Sequence, residues 1–182
     1  MRIPDEVTYE QIHQIIQGVT ENYDVPVPIG GRCESYVYYR LENLQEDEIA
    51  MCAKYVLQRL ENALEINDIG LFLKLKGAIT SFAECLYALF CEIYNLEPKF
   101  ELYSENLFLN GKADILRNKT AILISDVITT AKSSLEAHSQ ATLRGIKIAA
   151  WTALIDRTFG PGPVPVIAAY TGAPVSVLTK VG

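Results

Sequence analysis

The stretch Ala121–Ser134, AILISDVITTAKSS, holds the residues best suited to chemistry. It reads as an apolar strand, an acid at its end, a run of hydroxyl side chains, and then a helix. In a parallel sheet, ligands bind beyond the carboxyl ends of the strands. A helix N-terminus placed there offers free backbone N–H groups and a partial positive charge, which suit a phosphate. Thr129, Thr130, Ser133 and Ser134 would add hydroxyl donors. Asp126 would accept hydrogen bonds from sugar hydroxyls or help to hold a hydrated Mg2+. The same residues would serve equally well as helix caps with no ligand at all.

Other chemistry is sparse. His13 and His138 are the only 2 histidines, and neither has a partner at ligand spacing. The 4 cysteines, Cys33, Cys52, Cys85 and Cys91, contain no CxxC pair. They read as reduced, buried thiols, and no zinc site is expected.

The elements that must position Asp126 and its neighbours follow from periodicity. Ile12, Ile15, Ile16 and Val19 recur at helical steps, predicting a helix from Thr8 to about Asn22 that the prolines of Asp24–Pro28 close. Gly30-Gly31 makes a turn, and Ser35–Arg40 is aromatic and β-branched, hence a strand. A long helix is predicted from about Glu46 to Glu65, with Ile49, Cys52, Ala53, Val56, Leu57, Leu60 and Leu64 inward. The apolar run from Ile69 to Leu75 precedes a helix over Thr80–Tyr94, and Phe100–Leu109 suggests a strand or hairpin. Thr120–Ser125 is a buried strand, Ser133–Leu143 a helix stopped by Gly145, and Lys147–Ile155 another strand. Val164–Ala169 and Val175–Leu178 complete the series. Strands alternating with helices in this way imply an α/β fold, a mostly parallel sheet covered on both faces.

Composition agrees with one globular domain. The chain has 182 residues, 49% hydrophobic and 21% charged, with 11 glycines and 8 prolines. Sixteen basic against 22 acidic side chains leave a net charge of −6, which argues against nucleic-acid or membrane-surface partners. No apolar run reaches the roughly 18–20 residues of a membrane span, and the N-terminal MRIPDEVTYEQ is not a secretory signal. A cytoplasmic location is expected.

The 121–134 stretch resembles the phosphoribosyl-pyrophosphate (PRPP) signature of type I phosphoribosyltransferases: an apolar strand, two acids, an apolar pair, Thr-Thr or Thr-Ala, glycine and a Ser or Thr. The likeness extends to Leu135–Ala137, Leu143–Ile148 and Leu154–Arg157, which resemble orotate phosphoribosyltransferases in particular. Gly31-Arg32 with Ser35–Tyr39 resembles that family's N-terminal hood, and Leu75–Ala78 its pyrophosphate loop. The resemblance implies a single domain over 1–182, with N-terminal helices and hood over about 1–66 and the core over about 67–182. It implies transfer of a phosphoribosyl group from PRPP, with Mg2+, to a pyrimidine-type base, releasing pyrophosphate. It also implies a homodimer, because the family's sites are shared between subunits.

Carried over by position, the resemblance makes Asp126 the catalytic acid that contacts the ribose hydroxyls. Lys76 and Gly77 fall in the pyrophosphate loop. Thr129, Thr130, Ala131, Lys132 and Ser133 surround the 5′-phosphate, and Thr129 and Arg157 contact the base. No protein side chain is expected to hold the metal directly. An arginine suits a base carboxylate, which guanidinium clamps in two parallel hydrogen bonds.

Departures from the pattern define a second expectation. Ser125 stands where the first acid belongs, Ala131 where the loop glycine belongs, and Ile29 where a lysine belongs. The family's mobile, cation-rich catalytic loop corresponds to Lys99–Lys112, KFELYSENLFLNGK. Here Glu101, Ser104 and Asn106 replace basic residues and Leu107–Leu109 make an apolar tip, as in a packed or partner-binding segment. The alternative is therefore a catalytically silent homologue that senses a nucleotide or serves as an assembly partner.

Overall fold

The computed structural model describes residues 6–29, 33–75, 79–103, 107, 115–157 and 175–180. Helix α1 (Tyr9–Gly18) leads into a hairpin of β1 (Thr20–Ile29) and β2 (Cys33–Tyr39), then α2 (Glu46–Glu61), β3 (Ile69–Lys74) and α3 (Thr80–Tyr94). Strand β4 (Lys99–Leu102) is followed by β5 (Thr120–Ile124), β6 (Val127–Ile128), α4 (Lys132–Leu143), β7 (Lys147–Asp156) and β8 (Val175–Lys180). The predicted strand at Val164–Ala169 lies outside the described residues.

The core sheet is parallel throughout. Strand β3 pairs with β4 on one side and β5 on the other, β5 pairs with β7, and β7 with β8. Strand β6 pairs with the last residues of β7, Val127 with Ile155 and Ile128 with Asp156. It follows β5 along the same neighbour after a break at Ser125–Asp126. The sequence pattern suggested a loop there.

Period-2 alternation sends successive side chains of each strand into two different cores. Phe72, Ile122, Ile124, Ala150 and Leu154 pack with α1, α2 and α3 through Ile12, Val56, Leu57, Phe82, Leu86 and Phe90. Leu71, Leu73, Leu123, Trp151 and Ala153 pack on the opposite face with Ala137 and Ala141 of α4. Each fully buried Leu, Ile or Phe contributes about 1.5–3 kcal/mol relative to exposure. The predicted α/β class, with helices on both faces of a parallel sheet, is what the chain adopts.

The N-terminal prediction needs correction. The first helix ends at Gly18, and residues 20–29 form a strand despite Pro26 and Pro28. In a two-stranded sheet each strand is an edge, where proline forfeits no obligatory ladder bond. The pairing also breaks between Asn22 and Val27, which removes Pro26 from the register. Helix α2 is shorter than predicted, closing at Glu61, while Leu64 still packs on the core. Cys52, Cys85 and Cys91 are free thiols.

Helix α4 closes as its sequence suggests. Gly145 sits at φ +76°, donates to the Thr142 carbonyl at 2.9 Å, and lets Ile146 donate back to Ala141 at 3.0 Å. A Cβ there would meet Arg117 Cγ at 3.3 Å. Gly145→Ala should therefore cost about 1–2 kcal/mol in denaturant unfolding. Gly18→Ala, at a helical position with nothing within 4 Å of the new methyl, should instead gain up to about 1 kcal/mol.

Candidate functional site

Strand order reverses at β3: the chain goes from β3 outward to β4, then returns to pair β5 on the other edge. Connections leaving such a switch point diverge, and a crevice opens at the carboxyl ends of the two strands. Leu75 and Ser125 stand at those ends. Leu75 donates to the Ile124 carbonyl at 2.9 Å and Ser125 to that of Thr152 at 2.9 Å.

Asp126 then breaks the ladder. Its carbonyl accepts from both Leu154 and Ile155, at 2.9 and 3.0 Å, while the register runs on unshifted from the pairing of Ile124 with Thr152 to that of Val127 with Ile155. The Asp126 side chain faces the crevice as part of its lining. One carboxylate oxygen accepts from the Val127 N–H at 2.7 Å. Burial raises the Asp126 pKa, opposed by backbone N–H donors and by the positive charge of Lys74. Ser125, where the resemblance expects an acid, is buried and donates its hydroxyl to the Val127 carbonyl at 3.3 Å.

Beyond β6 the chain wraps a small cavity of about 130 Å³, lined by Thr129, Thr130, Ala131, Ser133 and Ser134 among others. The N-cap position of α4 is Ala131, and no side chain caps the first turn. The reading of the hydroxyls as helix caps therefore does not describe this helix. Ala131 takes φ 57°, ψ 7°, the left-handed conformation in which glycine was expected, and an L residue bears about 1–2 kcal/mol for it. Lys132 is exposed and does not line the cavity.

A larger cavity of about 560 Å³ adjoins the first and shares Val127 and Thr129 with it. Asp126 and Ile79 line its core side, while Pro28, Ile29, Tyr38 and Tyr39 come from the hairpin. Its volume falls within the roughly 300–1,000 Å³ of small-molecule sites.

Arg157 joins the two halves. It is 6% exposed and lines the larger cavity. Its Nη2 donates to the Val37 carbonyl at 2.5 Å, and its guanidinium lies 5.2 Å from the Tyr39 ring centroid. Its own N–H donates to the Ile128 carbonyl at 2.8 Å. Burial raises the Tyr39 pKa, with the Arg157 charge acting against it. The hairpin is braced internally by Arg40, which reaches Glu21 at 3.0 Å and Tyr23 at 3.2 Å and lies over the Tyr38 ring. Hydrogen bonds from Tyr23 and Arg40 hold the Glu21 carboxyl below its ordinary range.

The structure thus brings Asp126, Thr129, Thr130, Ala131, Ser133 and Arg157 around two connected cavities. Lys76 and Gly77 lie outside the described residues, between Leu75 and the cavity-lining Ile79. Of the 99–112 stretch, Lys99–Leu102 form an edge strand and Leu107 is buried in the core on the α4 side. The sequence reading missed Lys74, 7% exposed at the end of β3. A lone lysine inside LFLKL was the available signal.

Among the described residues no three His, Cys, Asp or Glu side chains form a metal-binding group. The donors here are one half-buried carboxylate, already accepting a backbone N–H, and a serine hydroxyl turned to a carbonyl. That set does not fit a protein-held Mg2+, which takes near-octahedral oxygen coordination. No described helix is long and apolar enough to cross a membrane.

No protein-family model matches this sequence, and no curated protein does. Solved structures do. Orotate phosphoribosyltransferase from Francisella tularensis is similar at 16% identity and TM-score 0.66, over 94% of this chain and 84% of that one. The Aeropyrum pernix enzyme is 13% identical at TM-score 0.67, over 93% of each chain. The Mycobacterium tuberculosis H37Rv enzyme, in complex with PRPP, is 15% identical at TM-score 0.61, over 94% of each. These likenesses establish a type I phosphoribosyltransferase fold.

Because burial raises the Asp126 pKa above its ordinary 3.8, the folded protein holds this proton more tightly than the unfolded chain does. The group's contribution to stability is therefore present in full below 3.8 and is lost as pH rises toward the folded value. Asp126→Asn, which can keep the Val127 hydrogen bond, should be more stable than wild type at neutral pH, with the gain shrinking as pH falls toward 3.8. Unfolding midpoints across pH check this, and a gain independent of pH would contradict it. Arg157→Met should speed hydrogen exchange in the 20–39 hairpin while leaving β5 and β7 protected.

Proposed function

We propose that this protein binds a 5-phosphoribosyl ligand, PRPP or a nucleoside monophosphate. The single observation that carries this is the pair of joined cavities on a phosphoribosyltransferase fold. The smaller is walled by hydroxyls and the uncapped start of α4, and the larger is sized for a base. Between them stands Asp126, placed to accept hydrogen bonds from vicinal ribose hydroxyls. The 5′-phosphate would take donors from Thr129, Thr130 and Ser133 and from the free N–H groups of α4. A pyrimidine-type base would lie under Tyr38 and Tyr39, beside Arg157 and Thr129.

As an enzyme, the protein would transfer the phosphoribosyl group to that base and release pyrophosphate. Its own residues would grip the phosphate, hold the ribose through Asp126, and exclude water with the hairpin roof. Loss of one preorganised charge at such a site typically costs on the order of 10²–10³ in rate. A silent, nucleotide-sensing homologue is the second reading. It is favoured by Ser125, whose hydroxyl is turned to a carbonyl, and by Leu107, buried where a catalytic loop would need to move. A homodimer, and a protein partner at the 99–112 region, belong to the same proposal. Exposed apolar Leu102 lies within that region and Ile115 three residues beyond it.

Calorimetric titration with ribose 5-phosphate and with uridine 5′-monophosphate tests the binding reading. Both should bind in the micromolar range, and Asp126→Asn should weaken both by about tenfold, or roughly 1.4 kcal/mol. Arg157→Ala should weaken only the base-bearing ligand. Absence of binding by folded protein, or unchanged affinities in both variants, would overturn it. Pyrophosphate release from PRPP across a panel of pyrimidine bases then separates the enzyme from the silent homologue.

A further inference from the structure

Among the described residues that line the larger cavity, Arg157 is the one cation, set against the carboxylates of Glu42 and Asp126. Its guanidinium is already committed to the fold. Nη2, the nitrogen common to both two-donor edges of that group, donates to the Val37 carbonyl at 2.5 Å. The same guanidinium lies 5.2 Å from the centroid of the Tyr39 ring. These contacts seat the hairpin on the core. A ligand carboxylate that drew Arg157 into a two-bond clamp would have to compete with them.

The rest of the described wall holds no second cation. Ile29, Leu41, Ile79 and Val127 are apolar, and Tyr38 and Tyr39 are aromatic. Glu42 meets Arg40 at 3.5 Å, but Arg40 lies closer to Glu21, at 3.0 Å. Arg40 and Glu42 are both well exposed, so their pairing offsets little of the Glu42 charge. A carboxylate brought into this cavity would lose water and meet two like charges, with its only described counter-ion already engaged. An uncharged ring has no such cost and covers the apolar and aromatic wall.

We infer that the larger cavity selects an uncharged base and rejects one that carries a carboxylate, with Ile29, Glu42 and the committed Arg157 setting that preference. The inference rests on the phosphoribosyl-ligand reading above and deepens it by naming the class of base.

The test is titration of the full chain at neutral pH with ribose 5-phosphate, uridine 5′-monophosphate, and the 6-carboxylate and 6-carboxamide of that nucleotide. The carboxamide has the shape of the carboxylate without its charge. The carboxylate should bind about tenfold or more weaker than the parent nucleotide, and the carboxamide within about threefold of it. Ile29→Lys, which adds a cation, and Glu42→Gln, which removes a like charge, should each narrow the gap between carboxylate and parent by about threefold or more. Each variant is judged by the ratio of two ligands on the same protein, and the wild-type comparison holds even where a variant folds poorly. A carboxylate that binds as tightly as the parent, a carboxamide as weak as the carboxylate, or ratios unmoved in both variants would overturn the inference. Binding of ribose 5-phosphate and uridine 5′-monophosphate would then leave the functional reading standing. Failure of all four ligands on folded protein would remove both.

Discussion

The reversal of strand order at β3 is the constraint on which the rest of this structure depends. A parallel sheet buried on both faces has no polar surface of its own, and its side chains are consumed by two apolar cores. Chemistry can be placed only where strands end. Because β4 and β5 flank β3 on opposite sides, the connections from β3 and β5 part at the carboxyl edge. What lies between them is a crevice and not a packed seam. Asp126, Thr129 and Ile79 are all there for that one topological reason.

The second determinant is the break between β5 and β6 at Ser125–Asp126. A regular strand would have carried residues 125–128 on in strict alternation, pairing each with β7. Instead the Asp126 carbonyl takes two N–H donors from β7 and the ladder resumes only at Val127. The carboxylate is held partly out of water, which raises its pKa, while the Val127 N–H and Lys74 keep its charged form accessible. Burial and pairing act in opposite directions on one group, a pattern common at sites that bind charge.

The hairpin contributes a roof that the core cannot supply. Its hold on the core runs through Arg157, which bonds a carbonyl 120 residues away and stacks on Tyr39. A guanidinium suits this because it is planar, permanently charged and less strongly hydrated than an ammonium. The same contacts mean that Arg157 is already engaged by protein, so any base contact it makes is shared with its structural task. Ile29, facing the cavity in place of a cation, adds to the apolar character of that wall.

How much of this was legible beforehand depended on range. Helix α3 and strands β5 and β7 were readable because a helical or alternating period is a local property, set by which faces must be buried. Gly145 as a stop was readable for the same reason. The hydroxyl run at 129–134 was readable as a set of donors before a helix, and Ser125 and Ala131 as departures from the pattern it resembles. Strand β1 was misread because prolines forbid only ladder bonds, and whether such a bond is needed depends on the partner strand. Lys74 was overlooked because a lysine in an apolar run has no meaning until its neighbours across the sheet are known. The sequence by itself therefore determined the periods, the stops and the inventory of reactive groups. Only the tertiary structure decided that Ile79 and Asp126 line one cavity and that Arg157 holds the hairpin. Those are contacts between segments far apart along the chain, and their energies do not exist until the sheet forms.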